Sequence, residues 1–243
     1  MRPTWRKAIW IAPLAIVGIA LALWAASGYV AAFMRASNAI YSVDEGRPIW
    51  RAAPLRVSVT VLLCVMLVAS VTIVAVTGHA AAEAGRALGV GSAAVTVWGI
   101  AKWPILLVLV SLMLALLYWA SPNVKQPGVR WILPGAALAV VIWLVASALF
   151  GLYLGFSSSY NKTYGSLAGV IIFLVWLWLS NTAVLLGVEF NAEMQRERLV
   201  RAGLPESVAP FLEVRDTRKL AEPELLRVAE ARHQRLTLGS GDA

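Results

Sequence analysis

Charged side chains are scarce in this sequence. Only 14% of its 243 residues are Asp, Glu, Lys or Arg, about half of what a soluble domain carries. Cysteine occurs once, as Cys64 within an apolar run, which excludes a disulfide framework and a thiolate metal site made by this chain alone. Histidine occurs twice, as His79 in a predicted loop and His233 in the tail, and the topology predicted below keeps them apart. These shortages predict no metal site and no cofactor.

Catalytic motifs are missing as well. HExxH, GxxxxGK[ST] and GxSxG do not occur, and the serines at 157–159 have no histidine or aspartate partner nearby. A metal-dependent nuclease would need a cluster of histidine and carboxylate ligands around its ions. We therefore expect no catalytic residues and no enzymatic activity.

Apolar residues are abundant instead. Of the chain, 60% is hydrophobic, the mean hydropathy is +0.74, and the 11 tryptophans suit a membrane–water interface. The net charge of +8 is compatible with nucleic-acid binding. In a membrane protein, however, excess Lys and Arg more often reflect orientation and contact with anionic headgroups. We expect membrane lipids as partners, and no nucleic acid.

The apolar residues form long runs that predict an all-α, polytopic transmembrane helix bundle. The run from Trp131 to Phe156 and the run from Leu167 to Val188 contain no charge, and each exceeds the roughly 20 residues that cross a bilayer. Five spanning helices are expected in all, at about 8–32, 57–78, 98–120, 131–156 and 167–190. A secretory signal peptide is the alternative for the first run, although the run is long for one.

The remaining segments are polar. We interpret 1–198 as a membrane domain and 199–243 as a charged tail, in which Glu222 to Arg235 could form a short amphipathic helix. The segment 35–56 is expected to be a polar connector, and 79–96 a loop or an interfacial helix. Small residues and three glycines in the latter segment favour this reading.

Basic residues set the expected orientation. The tail is rich in arginine, which predicts a cytoplasmic C-terminus, and this assignment places most of the 21 lysines and arginines inside. Five helices then leave the N-terminus outside, together with Arg2, Arg6 and Lys7. An odd number of spans cannot satisfy the charges at both ends.

Three segments carry a resemblance to a known family. They read SGYVAAFMRASNAIYSVDEGRPIWR (27–51), YWASPN (118–123) and PGAALAVVIWLVASALFGLYLGFSSSYNKTYGSLAGVIIFLVWLWLSNTAVLLGVEFNAE (134–193). Over about 24–198 the chain resembles the YihY/virulence factor BrkB family. The resemblance implies a six-helix bacterial inner-membrane protein with both termini cytoplasmic. The family's activity is unsettled: it was once labelled ribonuclease BN, and some members are associated with serum resistance or transport.

The family's first helix has no counterpart in this sequence. Its absence would explain the conflict of charges at the two ends. The expectation is a truncated or misassigned reading frame, or a shortened family member, which the genomic sequence upstream of Met1 would distinguish.

Small residues predict where helices approach closely. Ser147, Gly151 and Gly155 form one stripe on a helix, and Gly165 and Gly169 repeat the spacing at the start of the next. Helix packing, within the chain or in a homo-oligomer, is the favoured interpretation. A groove that binds substrate is the alternative.

Polar and aromatic residues near the membrane edges are the functional candidates. Tyr160, Asn161 and Tyr164 lie in the turn between the last two spans, where interfacial anchoring competes with a headgroup or solute entry site.

A second group of candidates follows the apolar VLLGV. It consists of Glu189, Asn191 and Glu193, of which Glu189 and Glu193 share a helix stripe with Arg196. A carboxylate at this depth is costly unless it faces protein or water, so it is a functional candidate. Pairing with Arg196 and ordinary solvation is the alternative.

Two functions remain open at this point. The favoured one is a transporter or flippase-type protein acting on envelope lipids or solutes. The other is a membrane scaffold for envelope integrity, with a tail that recruits cytoplasmic partners.

Overall fold

Long apolar helices make up most of the described chain. The computed structural model describes residues 5–77, 81, 83, 86–87, 91–156 and 167–240. Its described helices in chain order are α1 (Trp5–Ile40), α2 (Ile49–Ala75), α3 (Ser92–Ala120), a 3-10 turn (Val129–Trp131), α4 (Leu133–Phe156), α5 (Ala168–Arg201) and α6 (Glu222–Ser240). The all-α prediction is confirmed.

Five of the described helices, α1 to α5, are long and apolar enough to cross a membrane. Their outward faces carry large apolar side chains, such as Trp24, Val68, Val108 and Phe156, that are more than half exposed. A soluble protein cannot keep such continuous apolar surface in water. In a bilayer the same surface faces lipid, while each helix satisfies its own backbone groups. The predicted five-helix membrane bundle is confirmed.

Several helices extend further than their apolar runs. Helix α1 continues to Ile40, α2 already begins at Ile49, and α5 continues to Arg201. The predicted connector 35–56 is therefore wrong, because only residues 41–48 link α1 to α2. Charged residues end an apolar run without ending a helix, since arginine is a good helix former. Eight residues of the predicted loop 79–96, including His79, lie outside the described residues; the described residues 81, 83, 86 and 87 are helical, and α3 begins at Ser92.

One end of the bundle collects most of the polar structure, and we call it the polar end. Here α1, α3 and α5 finish, α2 and α4 begin, and the segment 204–219 crosses over them. This segment forms a single antiparallel bridge, from Val214 to Val124. Phe211 stacks on Tyr41 with the ring centroids 5.8 Å apart. The first part of the predicted tail is thus packed onto the bundle, and the predicted amphipathic helix follows it as α6.

Helices α4 and α5 form the most extensive helix pair. Two tryptophans join them across an apolar seam: Trp143 Nε1 donates to Ser180 Oγ (3.0 Å), and Trp176 Nε1 donates to Ser147 Oγ (3.1 Å). An indole N–H buried in an apolar seam needs an acceptor, and each serine supplies one. Ser147 therefore lies at a contact between α4 and α5.

The closest helix approach falls at two glycines outside the predicted stripe. A Cβ on Gly135 of α4 would collide with the Gly187 carbonyl oxygen and the Asn191 amide, and a Cβ on Gly187 of α5 would collide with the Tyr118 hydroxyl. By contrast, Gly151, Gly155 and Gly169 have no described atom within 4 Å of a Cβ position. Packing through these three within the chain is a wrong prediction, because the small-residue spacing marks a permissive surface without saying whether a helix lies on it.

These two environments give a matched pair of substitutions. Gly135→Ala should destabilise the protein by about 1–3 kcal/mol, the usual cost of inserting a methyl group where no space exists. Gly151→Ala adds the same group in open space and should leave stability unchanged or raise it by up to about 1 kcal/mol, because alanine is the better helix former. Thermal unfolding in detergent micelles measures both. Equal effects of the two variants would contradict the assigned packing.

Candidate functional site

The three candidates on α5 have different surroundings. Asn191 is fully buried: its Oδ1 accepts from the Gly135 N–H (2.8 Å) and its Nδ2 donates to the Ile132 carbonyl (2.9 Å). The first N–H groups of a helix have no partner within that helix, and here a neighbouring helix provides one. The geometry thus gives Asn191 a structural role as a cap on the start of α4.

The two carboxylates face outward. Glu193 lies 3.7 Å from Arg196 in an exposed i,i+3 pair, which is worth little in stability. Glu189 is exposed and has no hydrogen-bond or ion-pair partner among the described residues. Neither lies within the buried polar structure of the bundle. Tyr160, Asn161, Tyr164 and Gly165 fall in 157–166, outside the described residues.

A buried asparagine that sequence analysis passed over connects the polar end. The Asn123 side chain donates to the carbonyls of Asp216 (2.7 Å) and Asp44 (3.2 Å) and accepts from the Asp216 N–H (3.0 Å). Its own N–H donates to Asn38 Oδ1 (2.7 Å). Asn123, in the segment that follows α3, therefore holds the end of α1, the 41–48 loop and the 204–219 segment together.

A partly buried ion pair lies beside this asparagine. Arg47, 4% exposed, contacts both oxygens of Glu45 through Nε (2.6 Å) and Nη2 (2.7 Å). Its remaining donors reach the carbonyls of Ala120 (3.3 Å) and Ser121 (2.7 Å) at the end of α3. Burial tends to raise the pKa of Glu45, but the hydrogen bonds and charge of Arg47 outweigh it and lower the pKa below the ordinary value. Through Arg47, the pair closes the open carbonyl end of α3.

Asp216 ties the tail segment to α2. Its Oδ2 accepts from Arg51 Nη1 (3.1 Å) and its Oδ1 from the Arg218 N–H (3.1 Å). The Arg218 N–H lowers the pKa of the carboxyl, burial opposes this, and Arg51 lowers it further, so that it lies below the ordinary value. Nearby, the Lys219 N–H donates to the Gly46 carbonyl (3.0 Å). The motifs 27–51 and 118–123 carried Asn38, Gly46, Arg47, Arg51 and Asn123, and the two uncharged asparagines were the available signal.

A crevice opens between α1 and α2 next to this network. Its upper part, about 370 Å³, is bordered by Arg35, Glu45, Arg47, Arg56 and Lys219 together with small apolar residues. A second, apolar part of about 230 Å³ continues along the same helix pair and shares Arg56 with the first. A basic compartment and an apolar groove therefore lie next to each other, with Arg56 bordering both.

Polar groups also lie at mid-depth on the other flank of α1. The Tyr29 hydroxyl donates to Asn181 Oδ1 (2.8 Å), and Asn181 donates back to the Leu177 carbonyl of its own helix (2.9 Å). Asn181 lies about 20 Å along α5 from Ala168 and about 15 Å from Asn191, at about 1.5 Å per residue. Tyr29 is 48% exposed. The run Ser180–Asn181–Thr182 within an apolar helix was the missed signal.

The described residues include no group of three or more His, Cys, Asp or Glu side chains that could hold a metal ion. That the chain is not an enzyme stays a prediction.

Comparison with known proteins assigns the chain to a family. Residues 8–210 match the family model described as virulence factor BrkB. The chain belongs to the virulence factor BrkB family. The predicted resemblance is confirmed, and the matched range includes the crevice helices, Asn123, and the part of α5 that carries Asn181 and Asn191.

Curated relatives of this BrkB family member include a ribonuclease-like protein and several membrane proteins. The ribonuclease-like protein YfkH of Bacillus subtilis is 28% identical over 74% of this chain and 66% of its own length. A UPF0761 membrane protein of Tolumonas auensis is 42% identical over 37% of this chain and 30% of its own length. Another, from Alkalilimnicola ehrlichii, is 30% identical over 78% of this chain and 41% of its own length. The chain thus spans less than two thirds of these relatives. No solved structure matches it.

The hydrogen bonds of Asn123, which we call the asparagine joint, give a prediction on the local stability of the polar end. Asn123→Ala removes three side-chain hydrogen bonds and leaves buried backbone groups of Asp44 and Asp216 without partners, each worth about 1–3 kcal/mol. Amide hydrogen exchange in peptides covering 204–219 should accelerate. Gln234→Ala, an exposed change on α6, should leave those peptides unaffected. Unchanged exchange in Asn123→Ala would refute the joint.

The Asp216 contacts predict a pH dependence. A folded-state pKa below the ordinary value of about 4 stabilises the fold above that value and loses this effect as pH falls through the folded pKa. Asp216→Asn should therefore lower the unfolding temperature at pH 7, and the difference from wild type should shrink below about pH 4. Glu230→Gln, at an exposed carboxylate without a partner among the described residues, is the control. A difference independent of pH would contradict the ionised contact.

Proposed function

We propose that this BrkB family member is a transporter or flippase-type protein of the bacterial inner membrane that moves an amphiphilic envelope lipid or solute. The proposal is supported by the Tyr29–Asn181 pair. A hydrogen-bonded pair that only held α1 and α5 together would be most favourable if buried between them. Here the tyrosine is half-exposed at a depth where polar groups are costly.

An exposed polar pair at mid-depth has a use in transport. A polar headgroup that crosses the bilayer loses water and gains little from acyl chains, so hydroxyl and amide groups along its path lower the barrier. The pair sits on the seam of two helices, where small shifts of α1 against α5 change its exposure. Such a seam fits a passage along the protein surface better than an enclosed pore.

The orientation proposed for this function follows the charges of the polar end. Arg35, Arg47, Arg51 and Arg56 lie there with Lys125, Arg130 and the basic tail, which favours a cytoplasmic polar end. Lipids of the cytoplasmic leaflet would then meet the basic end of the bundle first.

A scaffold is the second candidate. Helix α6 carries Leu225, Leu226 and Leu236 in exposed positions, which could contact a cytoplasmic partner or the membrane surface. A scaffold predicts no transport by the purified protein.

Reconstitution in liposomes tests the proposal. Wild type should accelerate transfer of fluorescent phospholipid between leaflets, measured by loss of fluorescence to a membrane-impermeant reductant, or should carry a solute under an ion gradient. Tyr29→Phe and Asn181→Leu should each slow transfer by about tenfold, if each removes about 1.4 kcal/mol of barrier stabilisation.

Ser111→Ala is the matched control, because the Ser111 hydroxyl bonds to the Leu107 carbonyl of its own helix at a similar depth. Folded wild type that shows neither lipid transfer nor solute flux would favour the scaffold. Transport that is insensitive to both Tyr29→Phe and Asn181→Leu would remove the pair from the path.

A further inference from the structure

We propose that the crevice between α1 and α2 is a binding site for an anionic phospholipid, with the phosphate at Arg35, Arg56 and Lys219 and an acyl chain in the apolar groove. This deepens the proposed function by naming the lipid class. It rests on that function only for the fate of the lipid, because binding is measured on its own.

The charge of the basic compartment is uncompensated. Arg35 and Lys219 are exposed, and their cationic groups have no carboxylate or hydrogen-bond partner among the described residues. Glu45 is the acid on this wall, and both of its oxygens are already occupied by Arg47. The three remaining cations therefore lack a counterion from the protein's described part.

Arg56 gives the most direct indication that the site lacks a hydrogen-bond acceptor. Its Nε is buried and has no hydrogen-bond partner among the described residues. An unsatisfied buried donor of a charged group costs more than a neutral one, and a phosphate oxygen is the acceptor that suits a guanidinium best. Because Arg56 borders both parts of the crevice, an anion bound there lies at the mouth of the groove.

The groove beyond Arg56 suits a hydrocarbon chain. Leu23, Trp24, Val57 and Val61 line it, and its two hydroxyl groups are already satisfied by their own helices. Ser27 donates to the Trp24 carbonyl (2.8 Å), and Thr60 to the Arg56 carbonyl (2.8 Å). Beyond Arg56 and the edge of Trp24, the described walls are apolar side chains and satisfied hydroxyl groups, so the deeper groove offers mainly van der Waals contact.

Position along the helices agrees with this assignment. Arg56 lies about 10 Å along α2 from Ile49, at about 1.5 Å per residue, and the groove residues lie deeper. A phospholipid has the same order, with phosphate near the interface and acyl chains below. Lone arginines at an interface can also reach bulk headgroups without selectivity. The groove and the shared Arg56 distinguish a defined site from such contact.

Lipid binding to the purified full-length protein tests the inference. Delipidated protein in a neutral detergent is titrated with phosphatidylglycerol, phosphatidylcholine, glycerol phosphate or inorganic phosphate, and bound lipid is counted by native mass spectrometry. Saturable binding of phosphatidylglycerol, at least about tenfold tighter than phosphatidylcholine, is expected because charge-assisted contacts to phosphate dominate. Equal binding of the two lipids would overturn the site, as would tighter binding of either free phosphate compound.

Variants locate the binding. Arg35→Gln and Arg56→Gln should each weaken phosphatidylglycerol binding by about tenfold, whereas Arg232→Gln removes the same charge from exposed α6 and should have no effect. Val57→Trp fills the groove from an exposed position and should weaken long-chain lipid more than a short-chain analogue. Binding that all of these variants leave unchanged would show a non-specific annulus.

The outcomes are separable from those of the transport proposal. Loss of lipid selectivity in Arg56→Gln with normal transfer of phosphatidylcholine would support the site and leave the Tyr29–Asn181 path intact. Absence of transfer in wild type, with selective binding preserved, would refute transport while the lipid site stands.

Discussion

The hydrocarbon core of a bilayer cannot form hydrogen bonds, and this constraint organises the protein. Within the bilayer each backbone group must be satisfied by the chain itself, so spanning segments are helical and polar side chains pair with one another. The Trp–Ser contacts between α4 and α5 follow this rule, as does the bond from the Tyr118 hydroxyl to the Val184 carbonyl (2.7 Å). Where helices end, the same requirement falls on loops and side chains. The polar end therefore carries the most elaborate hydrogen bonding of the described chain.

Two asparagines meet that requirement in different ways. Asn191 reaches from α5 to the start of α4, beside the glycines that let the helices touch. Asn123 joins a loop and a tail segment that are far apart in sequence. An amide both donates and accepts without charge, so it can satisfy a peptide group in a dry setting without the desolvation cost of an ion. These residues belong to the architecture more than to the chemistry.

The groups proposed for function differ by being unpaired or exposed. The buried Nε of Arg56 has no partner among the described residues, the Lys219 side chain is exposed, and Tyr29 is half-exposed although its hydroxyl is bonded to Asn181. Both sites border α1, which packs against α2 on one flank and α5 on the other. A lipid held in the α1–α2 crevice would therefore contact the same helix that carries the mid-depth pair.

The sequence by itself determined the solvent and the class of fold. Hydropathy and run length predict five spanning helices because crossing a bilayer demands a fixed length of apolar residues, whatever their partners. The motifs at 27–51, 118–123 and 134–193 identified the family. Helix ends at the polar end were misjudged, since charge ends an apolar run but not a helix.

Only the tertiary structure decided which residues meet. Small-residue spacing indicated Gly151 and Gly155, yet the close approach is at Gly135 and Gly187, because spacing describes one helix and contact depends on two. The sequence could not show that Asn123 and Arg47 join segments at the polar end. Both bind backbone carbonyls of other segments, and because every residue has a carbonyl, such partners leave no pattern in the sequence. The crevice depends on residues 20–61 and Lys219 being brought together by folding, and no local pattern encodes that distance.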